Sequence, residues 1–294
     1  MLKRLILLAA VLCLCTGAAA AETRAVVSYL GPAGTYTEEA THFFFGDSAV
    51  LQPRETVSDA IADVTAGAAL YAVIPQENTL GGPVVNYVDA LIAAADACVV
   101  GEVVLPISQT LMGLPGAKLE DIRTVCSHAQ GLTQSAQWRA EHLPQAETLE
   151  MPSTAAAASH VAEQGDITAA AVAAPGAAAL YGLEVLAENV QITDTNKTRF
   201  YVLGLNPPPE DEGTRAVFVA ACEANRIDDI IVAVHDTGLE LVALHDRPEG
   251  SRLGSYYYVI ETEDPAGVTD EQIAAVCGLG DIRFAGRFNA VEKH

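Results

Sequence analysis

Short apolar runs alternate with amphipathic or alanine-rich stretches along the first two thirds of the chain. The runs 25–30, 72–75, 98–105, 124–126, 147–151, 169–173 and 185–190 read as buried strands. Between them, 36–45, 58–68, 84–95, 132–141, 154–164 and 176–181 read as helices. Strands that alternate with helices in this way form βαβ units and parallel sheets. Ligands of such sheets bind beyond the carboxyl ends of the strands. The stretch 206–213, with three prolines, three acids and a glycine, reads as a linker. Beyond it, strands at 215–221, 240–244, 256–261 and 282–288 and helices at 228–235 and 269–277 give the order βαββαβ.

Polar residues gather at the strand-to-helix junctions. They are Gly31–Thr35, Glu77–Thr79, Ser127–Gln130 and Ser153–Thr154. Thr35 with Glu38, and Ser127 with Gln130, have capping-box spacing. The helix after Gly34 is expected to begin with free amides that form a local anion site. A capping residue is needed structurally, and capping and ligand contact can coexist. A further stretch, 194–200, places Thr198 between Lys197 and Arg199 just before the apolar run 201–203. A hydroxyl between two cations suits an anionic ligand; a solvated loop before a strand is the plainer reading.

Charge narrows the partners. The chain has 16 Lys and Arg against 38 Asp and Glu, a formal net charge of −22. That disfavours nucleic acid and anionic membrane surfaces. An anionic substrate would be held by local donors against a repulsive field. Residues 1–21 read as a secretory signal peptide, with Lys3 and Arg4 ahead of an apolar core and a small-residue cleavage site. Its loss would take the charge from −22 to −24 and leave no stable membrane insertion. Four cysteines would remain, Cys98, Cys126, Cys222 and Cys277, with no metal spacing. A Cys222–Cys277 bridge and buried free thiols are both open.

The ordered pieces carry a resemblance. They are 29–36 (Tyr-Leu-Gly-Pro-Ala-Gly-Thr-Tyr), 74–79 (Ile-Pro-Gln-Glu-Asn-Thr), 127–130 (Ser-His-Ala-Gln), 153–156 (Ser-Thr-Ala-Ala), 178–183 and 196–200 (Asn-Lys-Thr-Arg-Phe). In this order and spacing they resemble the prephenate dehydratases. The resemblance implies an α/β catalytic domain of two lobes, like a type II periplasmic binding protein, over 22–205. Lobe one would hold 24–103 and 190–205, and lobe two 104–189. A C-terminal α+β ACT-like (βαββαβ) domain over 214–294 would regulate and dimerise, in a homodimer or homotetramer.

The implied reaction is loss of hydroxide and CO2 from prephenate, an anionic small molecule, to give phenylpyruvate, with no cofactor and no metal. Thr198 takes the catalytic place, as donor to the leaving oxygen. Asn78, Thr79, Ser127, Gln130, Ser153, Thr154 and Thr35 would line the cleft. Arg199 would clamp a substrate carboxylate or make a lobe-bridging salt bridge. Glu77 would orient Asn78 or make a lobe contact, and His128 has a family counterpart that serves packing equally well. Gln76 and Ala129 depart from the family pattern. Of the family's effector motifs, only Arg247 and Pro248 match. Arogenate as substrate, and a non-catalytic periplasmic solute-binding protein for an anionic ligand, are the alternatives. The leader implies an exported, periplasmic protein.

Overall fold

The structure is a computed structural model that describes residues 24–208 and 213–294. The leader, and residues 209–212 of the linker, lie outside the described residues. The first lobe begins with β1 (Ala25–Leu30), α1 (Tyr36–Phe45), β2 (Ala49–Arg54), α2 (Val57–Thr65) and β3 (Tyr71–Asn78). It continues through β4 (Gly82–Pro83), α3 (Val85–Ala93) and β5 (Cys98–Pro106). The second lobe holds β6 (Thr110–Gly113), β7 (Thr124–Ser127), α4 (Ala129–Gln134), α5 (Ala136–His142) and β8 (Glu147–Glu150). Then come α6 (Thr154–Gln164), β9 (Ala169–Ala173), α7 (Gly176–Tyr181) and β10 (Glu184–Ala187). The chain returns to the first lobe as β11 (Lys197–Gly204). The C-terminal unit is β12 (Arg215–Glu223), α8 (Ile227–Asp236), β13 (Glu240–Pro248), β14 (Ser255–Glu263), α9 (Asp270–Cys277), β15 (Ile282–Phe288) and β16 (Ala290–Glu292).

The second lobe is a five-stranded sheet ordered β10-β6-β9-β7-β8. β9 is alanine except for Val172 and is fully buried, and Ala171 and Ala173 meet Ala157, Ala158 and Val161 of α6. Small side chains on both partners let helix and sheet approach closely. In the first lobe, β1 pairs with β2 and β3, all parallel, and β11 inserts antiparallel between β3 and β5. Phe200 and Val202 of β11 face the core under α1 with Val27 and Val73. Tyr201 and Leu203 face the opposite core, with Ile61, Val64 and Leu91 of α2 and α3.

Sequence patterning missed β2, β4, β6 and β16. β6 is a four-residue, wholly buried run with no alternation to mark it. The helix expected over 132–141 is two helices. They meet at Ser135, whose hydroxyl bonds back to the Gly131 carbonyl at 2.7 Å.

The C-terminal unit has the expected βαββαβ order, but its sheet runs on into the first lobe. The strand order is β13-β14-β12-β15-β5-β11-β3-β1-β2, with β16 also pairing β5. Gly286 makes the junction against Val99. A Cβ there would sit 2.2 Å from the Val99 carbonyl oxygen, and φ is +145°, so only glycine fits. Val217, Val259 and Phe288 of this unit share one core with Tyr87, Leu91 and Tyr201. Cys98, Cys126, Cys222 and Cys277 are free thiols, so the Cys222–Cys277 bridge is not formed. Burial pushes the Cys98 thiol up to about 11. No helix among the described residues is long and apolar enough to cross a membrane.

Candidate functional site

Two segments cross between the lobes, one after β5 and one before β11, and they bond to each other. Ile107 N donates to Asn196 O at 2.9 Å, and Gln109 N donates to Gln191 Oε1 at 2.8 Å. In front of them lies a cavity of about 240 Å³. The first lobe contributes Tyr36, Asn78 and Thr198, and the second His128, Gln130, Ser153 and Thr154. Ile107 and Gln109 of the crossing segment form its floor with Gln134. Among the described residues, this lining contains no Asp, Glu, Lys or Arg.

Thr198 is directly paired with Asn78 across β11 and β3. Asn78 Nδ2 donates to Thr198 Oγ1 at 2.9 Å and to Asn196 Oδ1 at 2.8 Å. Because Thr198 accepts that bond, its own proton is the one it can give. Asn78 Oδ1 accepts from the Leu80 and Gly81 amides and, across the cleft, from Gln130 Nε2 at 2.9 Å. The Asn78 amide is thus fixed from three sides, and Gln130 ties the lobes together beside Thr198.

On the second lobe, Ser153 caps α6 by accepting from Ala156 N at 3.0 Å. That leaves the first amides of an 11-residue helix at the cavity wall, where they favour an anion. His128 Nδ1 accepts from Gln130 N at 3.3 Å, which places the imidazole proton on Nε2. The Tyr36 hydroxyl donates to Ser108 O at 2.7 Å, and burial pushes its ionisation well above the usual phenol range. It stays a donor.

Five expected cleft residues, Arg199, Glu77, Thr79, Thr35 and Ser127, lie elsewhere. Arg199 follows Thr198 in a strand, so it projects from the opposite face. There its Nη2 reaches Glu102 Oε2 at 2.5 Å and also Glu261, and its Nη1 reaches Glu77 at 3.3 Å. The substrate-clamp reading is therefore replaced by an ion-pair network, and Glu77 belongs to that network too. Lys197, on the same face, pairs with Glu292 of β16. Burial alone would weaken the Arg199 cation, but Glu102 and Glu261 hold its proton more tightly than usual.

Thr79 is exposed and staples the return loop, accepting from Lys197 N at 3.0 Å. Thr35 caps α1 in a neighbouring groove. The reciprocal arm of its expected capping box is absent, because Glu38 accepts from Gly34 N at 2.5 Å and from the Tyr29 hydroxyl at 2.9 Å. That carboxylate fills the anion site expected beside Gly34.

Ser127 is not a cap and is fully buried. Its hydroxyl donates to Val172 O at 2.6 Å beneath Gly131, where an added Cβ would meet the Ser127 Oγ at 2.4 Å. His128 takes the capping role instead. Arg247 makes a two-point pair with Asp89 of α3, at 2.5 and 2.9 Å, so its effector role is replaced in this state by a tie between units.

Tyr36, Gln109 and Gln134 are the cleft residues that sequence reasoning missed. Gln134 sits one turn beyond Gln130 on one helix face, a spacing that a helical reading of 129–134 exposes. Nothing local marks Gln109.

A family model described as prephenate dehydratase matches residues 27–208. The prephenate dehydratase of Lactococcus lactis subsp. cremoris is 32% identical over 274 residues, 90% of this chain and 97% of its own. The bifunctional chorismate mutase/prephenate dehydratase of Neisseria gonorrhoeae is 35% identical over 83% of this chain. The bifunctional relatives are longer, and the chain spans 63 to 68% of their length. Among solved structures, a prephenate dehydratase in complex with L-Phe from Arthrobacter aurescens superimposes with a TM-score of 0.81 at 29% identity, covering 90% of each chain. A structure described as a novel type of quorum quenching acylase gives the same TM-score at 25% identity, covering 90% of this chain and 98% of its own. With the family match over most of the two lobes and a monofunctional relative aligned nearly end to end, the chain belongs to the prephenate dehydratase family.

Proposed function

We propose that the inter-lobe cleft converts prephenate to phenylpyruvate, with Thr198 as the donor to the departing hydroxide; this makes the protein a carbon–oxygen lyase. The ring carboxylate leaves as CO2, and its bonding pair enters the ring. The C–O bond breaks, and the hydroxide takes a proton to leave as water. A donor poised at that oxygen lowers the barrier by meeting charge as it develops. The observation that carries the reading is the hydroxyl of Thr198, held by Asn78 in a cavity free of side-chain carboxylates.

A dianion enters this cleft without a cationic side chain in the lining. The α6 amides, Thr154, Gln130 and the Nε2–H of His128 are the neutral donors that would take its carboxylates. Neutral dipoles held rigid need no reorganisation as charge moves. One observation favours the amino analogue, arogenate. Oε1 of Gln109 is a buried acceptor without a partner among the described residues, and Gln109 lines the cavity. An ammonium can donate to it, whereas a keto oxygen cannot.

The βαββαβ order of the C-terminal unit and the L-Phe complex of a relative support an ACT-like regulatory and dimerising role, in a dimer or tetramer. The leader supports export to the periplasm. The deciding experiment incubates the purified chain with prephenate and arogenate side by side, with and without phenylalanine. An acyl-amide substrate run in parallel covers the activity of the acylase neighbour. We expect phenylpyruvate from prephenate. Turnover of neither dehydratase substrate above the acid-catalysed background overturns the reading.

A further inference from the structure

We propose that Glu261, in the C-terminal unit, is a positioning residue for Thr198, acting through Arg199 and Tyr201 of β11. Glu261 stands on β14 and is 1% exposed. Its Oε2 accepts from the Tyr201 hydroxyl at 2.6 Å, and its Oε1 accepts from Arg199 Nη2 and from Arg215 Nη1, the latter at 3.2 Å. One carboxylate therefore grips two side chains on one face of β11, the nearer adjoining Thr198. Glu102 of β5 grips Arg199 from beside it, at 3.1 and 2.5 Å. A planar guanidinium held at several N–H groups has a fixed plane, and its strand inherits that orientation.

The same unit reaches the other member of the catalytic pair independently. Between Arg199 and Phe200 the ladder with β3 slips, and Gln76 is the extra residue. Such a bulge sets local twist and aims the neighbouring side chains. Gln76 Nε2 donates to the Tyr87 hydroxyl at 3.4 Å, and that hydroxyl bonds to His245 of β13. Both strands that carry the Thr198–Asn78 pair are thus tied to the C-terminal unit, β11 directly by Glu261 and β3 at its bulge through Tyr87 of α3. The continuous sheet makes this attachment rigid.

The inference rests on the catalytic reading of Thr198, and the test separates the two. In the full-length chain, Glu261→Gln should lower kcat for prephenate about 3- to 30-fold, the range typical of side chains that act through a packed network. KM should stay within about 2-fold. Tyr201→Phe, which keeps the packing and loses one hydrogen bond, should lower kcat by a smaller factor in the same direction. Glu261→Asp should recover part of the loss. Glu263→Gln, which touches the network only through Arg215 at 3.6 Å, should leave kcat unchanged. In a Thr198→Ala background, Glu261→Gln should cost no further turnover, because residues that act as one unit are not additive.

A loss in that background equal to the loss in the wild type would mean that Glu261 serves stability alone, and would overturn the proposal. So would unchanged kcat in both Glu261→Gln and Tyr201→Phe. Full activity of Thr198→Ala would instead overturn the catalytic reading itself.

Discussion

Thr198 and Arg199 are neighbours in sequence and lie on opposite faces of β11. The Thr198 face opens on a cavity whose lining has no charged carboxylate or ammonium side chain among the described residues. The Arg199 face holds Glu77, Glu102 and Glu261 around two guanidiniums, and Glu102 is fully buried. The cavity face presents neutral dipoles, while the ions hold the scaffold. The division has a physical reason. A cation in the cleft would bind prephenate before reaction as strongly as during it, which does not raise kcat. A cation behind the strand fixes geometry, and the carboxylates around it neutralise its field.

The largest effect should come from emptying the scaffold face. Arg199→Met leaves Glu102 and Glu261 buried with Arg215 as their one remaining cation among the described residues. Removing one partner from a buried ion pair costs roughly 3–5 kcal/mol. Thermal unfolding should therefore fall by on the order of 10 °C for a chain of this size. A variant within about 1 kcal/mol of the wild type would show that the network is solvated and that the two faces differ less than their geometry indicates.

The converse substitution sharpens the comparison. Thr198→Ala should leave the melting temperature nearly unchanged and lower kcat about 10²- to 10³-fold, the typical loss of one preorganised donor. Binding of prephenate, followed by calorimetry, should persist. A variant with normal turnover would remove Thr198 from the mechanism. A variant that melts early would place it on the scaffold side with Arg199.

Much of the cleft face could be read from residues alone. Asn78, Gln130, Ser153 and Thr154 are polar groups at the carboxyl ends of strands or at helix starts, where a parallel sheet places its ligands, and Thr198 joins them at the amino end of the antiparallel β11. The scaffold face could not, although one signal was present. Residues 197–203 form a strand, and a period of two forbids Thr198 and Arg199 from sharing a face. Reading Lys197, Thr198 and Arg199 as one cluster ignored that period. Ser127 illustrates a different limit. Capping-box spacing identified a polar residue at a helix start, but a carbonyl on the neighbouring strand β9 claimed its hydroxyl. Gln109 and the Gly286–Val99 junction depend on which distant segments meet, and no local pattern encodes that.

The smallest expected effect is a pH dependence at the edge of the scaffold face. His245 bonds to the Tyr87 hydroxyl and is faced by Glu77, Glu261, Arg199 and Asp246. Burial lowers its pKa, against the pull of Glu77 and Glu261. The folded state then binds this proton less readily than the unfolded chain does. The contribution to stability is therefore fully present above the unfolded value of about 6.5, and is lost as pH falls through the lower folded value. Glu102 runs the other way. Burial raises its pKa against the pull of Arg199, so its contribution is present at low pH and lost as pH rises through the raised value. A single melting curve mixes the two. Comparing the wild type with His245→Gln removes Glu102 from the difference, because glutamine keeps a polar partner for Tyr87 but does not titrate. The wild type should lose stability relative to the variant as pH falls from 8 to 5, when the buried imidazole must either accept a proton among the ions or give up its place. A difference that stays flat over that range would mean that the His245 ring is in water and does not hold the Tyr87 hydroxyl.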